Sequence, residues 1–348
     1  MRRAVRTVAL AIAAPAAVLF LLMAVGGHDA GAALRALWEG SFGSWYAFTS
    51  ATLVRAIPLI LAGLGVAVAF RAGVWNIGAE GQLLAGAAAA AVVALGSEGT
   101  LGSAALPLAL AAGIVGGALW AGIAALLRER YGVLEVISTI MLNFIALYLV
   151  GYLVRGPLQE GTHIYPQSAP LAAAAQLPRM GAGSRLHWGL VAAVAAAPAL
   201  WWWMSRTAAG FRLRAVGANA DAAAMAGGID VPRVRRDAFL LSGAFAGLAG
   251  AIQLTGVTFA LYEDLSPGYG FTAIAVALLA RLEPLAVVPA GVLFAALESG
   301  SLAMQRDAGI PSVTVSIVEG ALILFALATW SRRPFSAMPV GRRAAEPA

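Results

Sequence analysis

Residues 70–86 read Phe70-Arg-Ala-Gly-Val-Trp-Asn-Ile-Gly-Ala-Glu-Gly-Gln-Leu-Leu-Ala-Gly86. Gly73, Gly78, Gly81 and Gly86 are interleaved here with Asn76, Glu80 and Gln82, and long apolar stretches flank the run. At membrane depth a polar side chain or an unpaired peptide group is costly unless it faces protein or a water-filled cavity. A glycine-broken helix carrying two amides and a carboxylate is therefore the first place to look for function.

Composition makes those surroundings a membrane. The chain has 348 residues, is 61% hydrophobic and 11% charged, and has a mean hydropathy of +0.83. A soluble domain carries about 25% charged residues. The fold class expected is an all-α polytopic membrane protein. Cysteine is absent, which excludes disulfides, thiol catalysis, iron–sulfur clusters and cysteine-zinc sites. All 23 basic residues are arginine. A nucleotide-binding P-loop and a Schiff base both require lysine, so ATP hydrolysis on this chain is not expected. No catalytic triad or paired carboxylates stand out, and the chain is not read as an enzyme. The net charge of +6 is a topological signal rather than a mark of nucleic-acid binding.

A spanning helix needs about 17–25 apolar residues. Ten spans are read near 7–26, 51–70, 74–96, 104–127, 133–154, 188–204, 238–260, 270–281, 285–304 and 312–330. With both termini inside, seventeen arginines fall on the cytoplasmic side, and Arg35, Arg55, Arg155, Arg179, Arg185 and Arg306 fall outside. That asymmetry fits the positive-inside rule. The first span follows Arg2, Arg3 and Arg6, but its apolar run exceeds a signal-peptide core of about 7–15 residues, so it is read as a retained helix. Residues 1–330 form the membrane domain, with an outer loop at 156–187 and a cytoplasmic loop at 205–237. Residues 331–348 are rich in Arg, Pro and Ala and are expected to be a disordered cytoplasmic tail.

Ten spans divide into five plus five, and an odd number per half inverts the second half in the membrane. The halves are residues 1–155 and 188–330. The broken third span then has a counterpart in the eighth, Gly270–Arg281, which is bounded by Pro267-Gly268 and Pro284. Broken or short segments at matching places point to a substrate path near the midplane. Packing glycines in two ordinary helices are the competing explanation.

The cytoplasmic loop contains a short helix with its own punctuation. Asn219 is an N-cap, Asp221 suits the positive helix start, Ala222, Ala223, Ala224 and Ala226 favour helix, and Gly227 or Gly228 supplies the C-cap. Such a helix of about two turns is marginal alone, so it is expected to dock on something. Glu135, Ser138, Thr139 and Asn143 share one face of the fifth span and either line a path or join helices. Glu80 either faces the path or is a structural carboxylate paired with Arg71 or with free N–H groups. Glu298 and Glu319 lie in the ninth and tenth spans. His28, His163 and His187 are scattered over outer loops, so no metal site is expected.

Three stretches together resemble a known family. They are Phe70–Gln82, Glu135–Tyr148, and the loop Arg214–Ile229 with the run Phe239–Gly250, and Gly270–Arg281 followed by Pro284-Leu extends the likeness. They resemble permeases of ATP-binding-cassette importers for branched-chain amino acids, simple sugars and nucleosides, most of all the nucleoside type. The loop reads Ala-Gly-Gly-Ile where Ala-Gly-Ile is expected. The resemblance implies a permease subunit in the bacterial cytoplasmic (inner) membrane, with no cofactor. Its partners would be an ATPase subunit, a second and different permease chain, and an extracytoplasmic solute-binding lipoprotein. It makes the mini-helix (Gly217, Asn219, Asp221, Ala222, Ala223, Gly227 and Gly228) the element that couples to the ATPase. The substrate path would involve Asn76, Glu80, Gln82, Ser138, Thr139, Asn143, Phe271 and Thr272. Nucleosides are the expected solute. A simple-sugar permease and a stand-alone secondary transporter are the alternatives.

Overall fold

The computed structural model describes residues 29–320 except 97–99, 182, 312, 315, 318 and 319, together with Ala17 and Phe20. Most of the expected first and tenth spans, the tail, His28 and Glu319 lie outside the described residues. Within them the chain is helical, and β-structure is limited to isolated bridges.

Eleven α-helices follow in order: α1 Ala30–Ser41, α2 Leu53–Arg71, α3 Ala79–Gly96, α4 Ala105–Tyr131, α5 Glu135–Arg155, α6 Gly189–Arg206, α7 Ala208–Ala218, α8 Ala220–Gly227, α9 Val231–Gln253, α10 Tyr269–Leu279 and α11 Pro284–Ala308. Short π-helical turns lead into α2 (Ala47–Thr52) and out of α9 (Leu254–Thr258). Counting those turns, six helical stretches are long and apolar enough to cross a membrane among the described residues. They match the expected second, third, fourth, fifth, seventh and ninth spans. α10 is apolar but only 11 residues long, as its bounding Pro and Gly residues predict.

α2 is apolar on every side and is buried from Ala56 through Ala69, as suits a helix at the centre of a bundle. α4 and α5 bury one side only. Along α4 the buried side is a stripe of small residues four apart, namely Ala105, Ala109, Gly113, Gly117, Ala121 and Ala125. It meets Gly243 and Gly247 of α9, and Gly86 of α3 joins the same contact. Small residues let helix backbones approach where no hydrophobic force drives association. The opposite sides of α4 and α5 expose Leu119, Leu126, Phe144 and Ile145, apolar surface suited to lipid or to a partner chain.

α1 was not foreseen from the sequence. Asp29 caps it by accepting the Gly31 and Ala32 N–H groups. The helix packs on α11, where Gly40 meets Ala303 and Gly300.

Candidate functional site

α2 ends at Arg71, and the chain turns through Gly73, which has φ +71°. Residues 74–78 are not helical, and α3 begins only at Ala79. The break therefore precedes the helix, and Gly81 lies inside its first turn rather than in the break. A non-helical segment at this depth must find partners for its peptide groups. α5 supplies them. Thr139 Oγ1 accepts from the Ile77 N–H at 3.3 Å, and Asn143 Oδ1 accepts from the Gly81 N–H at 2.8 Å. Asn143 Nδ2 donates to the Ile77 carbonyl at 2.9 Å, and the Trp75 N–H reaches Glu135 Oε1 at 3.5 Å. Glu135, Thr139 and Asn143 are four apart, so one face of α5 runs alongside the extended segment. Ser138 takes no part, because its hydroxyl donates back to the Glu135 carbonyl of its own helix.

The two amides of the run pair with each other. Asn76 Nδ2 donates to Gln82 Oε1 at 3.0 Å, and Gln82 Nε2 donates to Asn76 Oδ1 at 2.9 Å. Asn76 also donates to Ser242 Oγ of α9 and accepts the Gly78 N–H. Both side chains are buried, and their mutual hydrogen bonds lie inside the protein.

Glu80 joins the two broken segments. Its Oε2 accepts the Gly270 N–H at 2.6 Å, in the first turn of α10. Gly270 has no room for a side chain, since a Cβ there would collide with the Glu80 N and Cα atoms. Ser266 Oγ accepts the Gly268 and Tyr269 N–H groups, so the start of α10 is fully partnered. A carboxylate at a helix N-terminus also opposes the helix dipole. Of the partners considered for Glu80, the free N–H group is the one present. Arg71 turns instead to Glu283 at 3.4 Å and to the Leu282 carbonyl. Phe271 is 49% exposed, and Thr272 is half-buried. Among the described residues no three potential metal ligands cluster.

At the far end of α9, Asn219 caps α8 by accepting the Ala222 N–H at 3.0 Å, and Gly228 closes it in the left-handed conformation at φ +55°. The extra glycine of the Ala-Gly-Gly-Ile run is thus the C-cap, and the helix ends cleanly at Gly227. Asp221, Ala222, Ala224, Met225 and Gly227 are exposed. Two members of the expected coupling set are placed differently. Ala223 is 7% exposed, and Gly217 belongs to α7, where it lies against the Arg71 carbonyl.

Residues 48–327 match the family model described as the branched-chain amino acid transport system permease component. This chain belongs to that permease family. The permease is 44% identical to the glucose ABC transporter permease protein TsgB13 of Haloferax volcanii, over 78% of this chain and 74% of that one. It is 40% identical to the guanosine ABC transporter permease protein NupP of Bacillus subtilis, over 90% of both chains. It is 34% identical to the nucleoside ABC transporter permease protein NupB of Lactococcus lactis, over 79% and 77% respectively. No solved structure matches it significantly. The permease is a multi-pass protein of the cytoplasmic membrane.

Several of its residues escaped the sequence reading. Met225 is 88% exposed and is the most prominent side chain on α8. Arg155 holds Glu263 through two hydrogen bonds of 2.6 and 2.8 Å, which keeps the Glu263 carboxyl below its usual pKa range. Residues 156–187 are strapped to the segment after α9: Ser168 and Leu171 donate backbone N–H groups to the Leu261 and Phe259 carbonyls. His187 is fully buried under this strap against Gly189 and Gly256. Burial lowers its pKa to about 4. The Arg155–Glu263 pair, the strap and the His187–Gly256 contact join residues far apart in sequence, and no local pattern marks them.

Proposed function

We propose that this permease is the membrane-spanning subunit of an ATP-binding-cassette importer for nucleosides. ATP is hydrolysed on a separate chain, and an extracytoplasmic binding protein delivers the solute. The observation that carries this reading is the pairing of two features on one chain. One is a seam where two helix starts meet inside the bundle, at Glu80 and Gly270. The other is a capped helix, α8, that presents Met225 and small residues outward. The first suits a solute path and the second suits docking onto an ATPase.

The seam supports two inverted halves, residues 1–155 and 188–330, each contributing one half-helix. Asn76, Gln82, Thr139 and Asn143 hold the broken backbone in shape, and Glu80 fixes the second half-helix against the first. Phe271 and Thr272 face the path that the two permease subunits enclose. The α8 end is cytoplasmic, and the 156–187 strap covers the outer end. The names of the relatives support nucleosides through NupP and NupB, whereas TsgB13 supports glucose, so simple sugars are the second reading.

The decisive experiment reconstitutes this chain with its ATPase, partner permease and binding protein in proteoliposomes. Labelled guanosine should enter only when ATP is present. Uptake by this chain alone on an ion gradient would sink the importer reading, and uptake of glucose but not guanosine would replace the nucleoside by a sugar.

A further inference from the structure

One cleft of about 490 Å³ lies at the outer end of α5, within the range of about 300–1,000 Å³ usual for small-molecule sites. Leu147, Tyr148, Gly151, Tyr152 and Arg155 form one wall, and Glu263 and Asp264 form the other. Tyr148 and Tyr152 are one helical turn apart, so they share one face of α5. Both are exposed, and among the described residues neither ring contacts another aromatic ring.

The two carboxylates of the opposite wall differ. Glu263 is neutralised and aimed by Arg155, and Gly151 makes room for it, since a Cβ there would lie 2.8 Å from Glu263 Oε1. Asp264 is exposed and makes no hydrogen bond or ion pair among the described residues. An unpaired carboxylate is costly against hydrocarbon, so this cleft opens to water. Open aromatic faces take a flat ring or the C–H face of a sugar, and a free carboxylate accepts hydrogen bonds from neighbouring hydroxyls.

Resting on the importer reading above, we propose that this cleft is the first solute site on the permease, where a nucleoside stacks its base on Tyr148 and Tyr152 and gives its ribose hydroxyls to Asp264. The site receives the solute from the binding protein before it reaches the seam. Neither Arg155 nor Glu263 touches the solute; they position the turn that carries Asp264.

The test uses the complete transporter in proteoliposomes, with guanosine and its 2′,3′-dideoxy analogue, which lacks the vicinal ribose hydroxyls, as the probes. Asp264→Asn should lower guanosine uptake about tenfold, as expected for a lost charge-assisted hydrogen bond, and change uptake of the dideoxy analogue less than about twofold. Tyr148→Leu with Tyr152→Leu keeps the wall apolar but should lower uptake of both probes about tenfold or more, because base stacking is lost. Should the double variant fail to assemble, Tyr148→Leu alone carries this arm. Affinity for the loaded binding protein should stay at the wild-type value throughout. Unchanged guanosine uptake in these variants overturns the proposal. So does an equal loss of both probes in Asp264→Asn, or a loss explained by weaker docking of the binding protein. A wild-type transporter that carries no nucleoside defeats the functional reading instead, and glucose uptake lowered by the same variants would reassign the cleft to a sugar and overturn the base-stacking role.

Discussion

Gly270 donates its backbone N–H to the Glu80 carboxylate at 2.6 Å while its Cα rests on the Glu80 backbone. Glu80→Gln keeps an acceptor but removes the charge opposing the α10 dipole, and should lower stability only modestly. Glu80→Ala leaves a buried N–H unpaired, a cost of about 1–3 kcal/mol. Gly270→Ala should be the most severe, because its Cβ meets backbone that cannot step aside. Thermal unfolding of the purified protein in detergent ranks the three, and an equal tolerance of all three would show that the two helix starts are not held together here.

Asn143→Ala removes partners from both the Gly81 N–H and the Ile77 carbonyl. It should cost about 1–3 kcal/mol for each group left unpaired. Asn143→Asp keeps the acceptor for Gly81 and should cost less. Ser138→Ala, on the same helix, should stay within about 0.5 kcal/mol of wild type. Denaturation midpoints of the three variants check that order.

Met225→Glu places a charge on the exposed side of α8 without disturbing its caps. We predict normal membrane insertion, normal stability and loss of ATP-driven uptake in the reconstituted transporter. Ala223→Asp, on the inward side, should instead lower the melting temperature. If Met225→Glu transported at the wild-type rate, α8 would not be the docking element.

His187 gives the outer strap a pH dependence of known sign. Its pKa is about 4 in the folded chain, against about 6.5 for an unperturbed imidazole. Between those values the unfolded chain holds a proton that the folded chain does not, so stability rises with pH across that window. Acidification from pH 7 should therefore loosen the protein progressively down to about pH 4. His187→Asn should flatten the slope of melting temperature against pH, and an unchanged slope would assign it to other groups.

How much of this was legible depended on how local the cause was. Asn219 and Gly228 cap α8 through their immediate neighbours, so the sequence marked both ends of that helix. The four-residue spacing of Glu135, Thr139 and Asn143 predicted a shared face, but not that it would serve the peptide groups of residues 75–81. Ala223 and Met225 are both compatible with helix, and only packing against the rest of the chain turned one inward and the other outward. Glu80 had a nearby arginine in sequence, yet its partner is a backbone N–H 190 residues away. α1 is shorter than a membrane span, so hydropathy alone does not mark it, although Asp29 announces its start.

The glycine contacts between α3, α4 and α9 have a mechanical meaning. A Cβ on Gly86, Gly117, Gly243 or Gly247 would run into the backbone of a facing helix, so these rods are keyed together with almost no slack. A push on α8 enters α9 within a few residues and reaches Leu83 of α3 through Gly250, whose backbones also touch. Thrust would arrive at the Glu80–Gly270 joint undamped. The stiff block ends in two non-helical links, residues 72–78 and 259–268, and each is tied by hydrogen bonds to a distant part of the chain, the first to α5 and the second to the 156–187 strap.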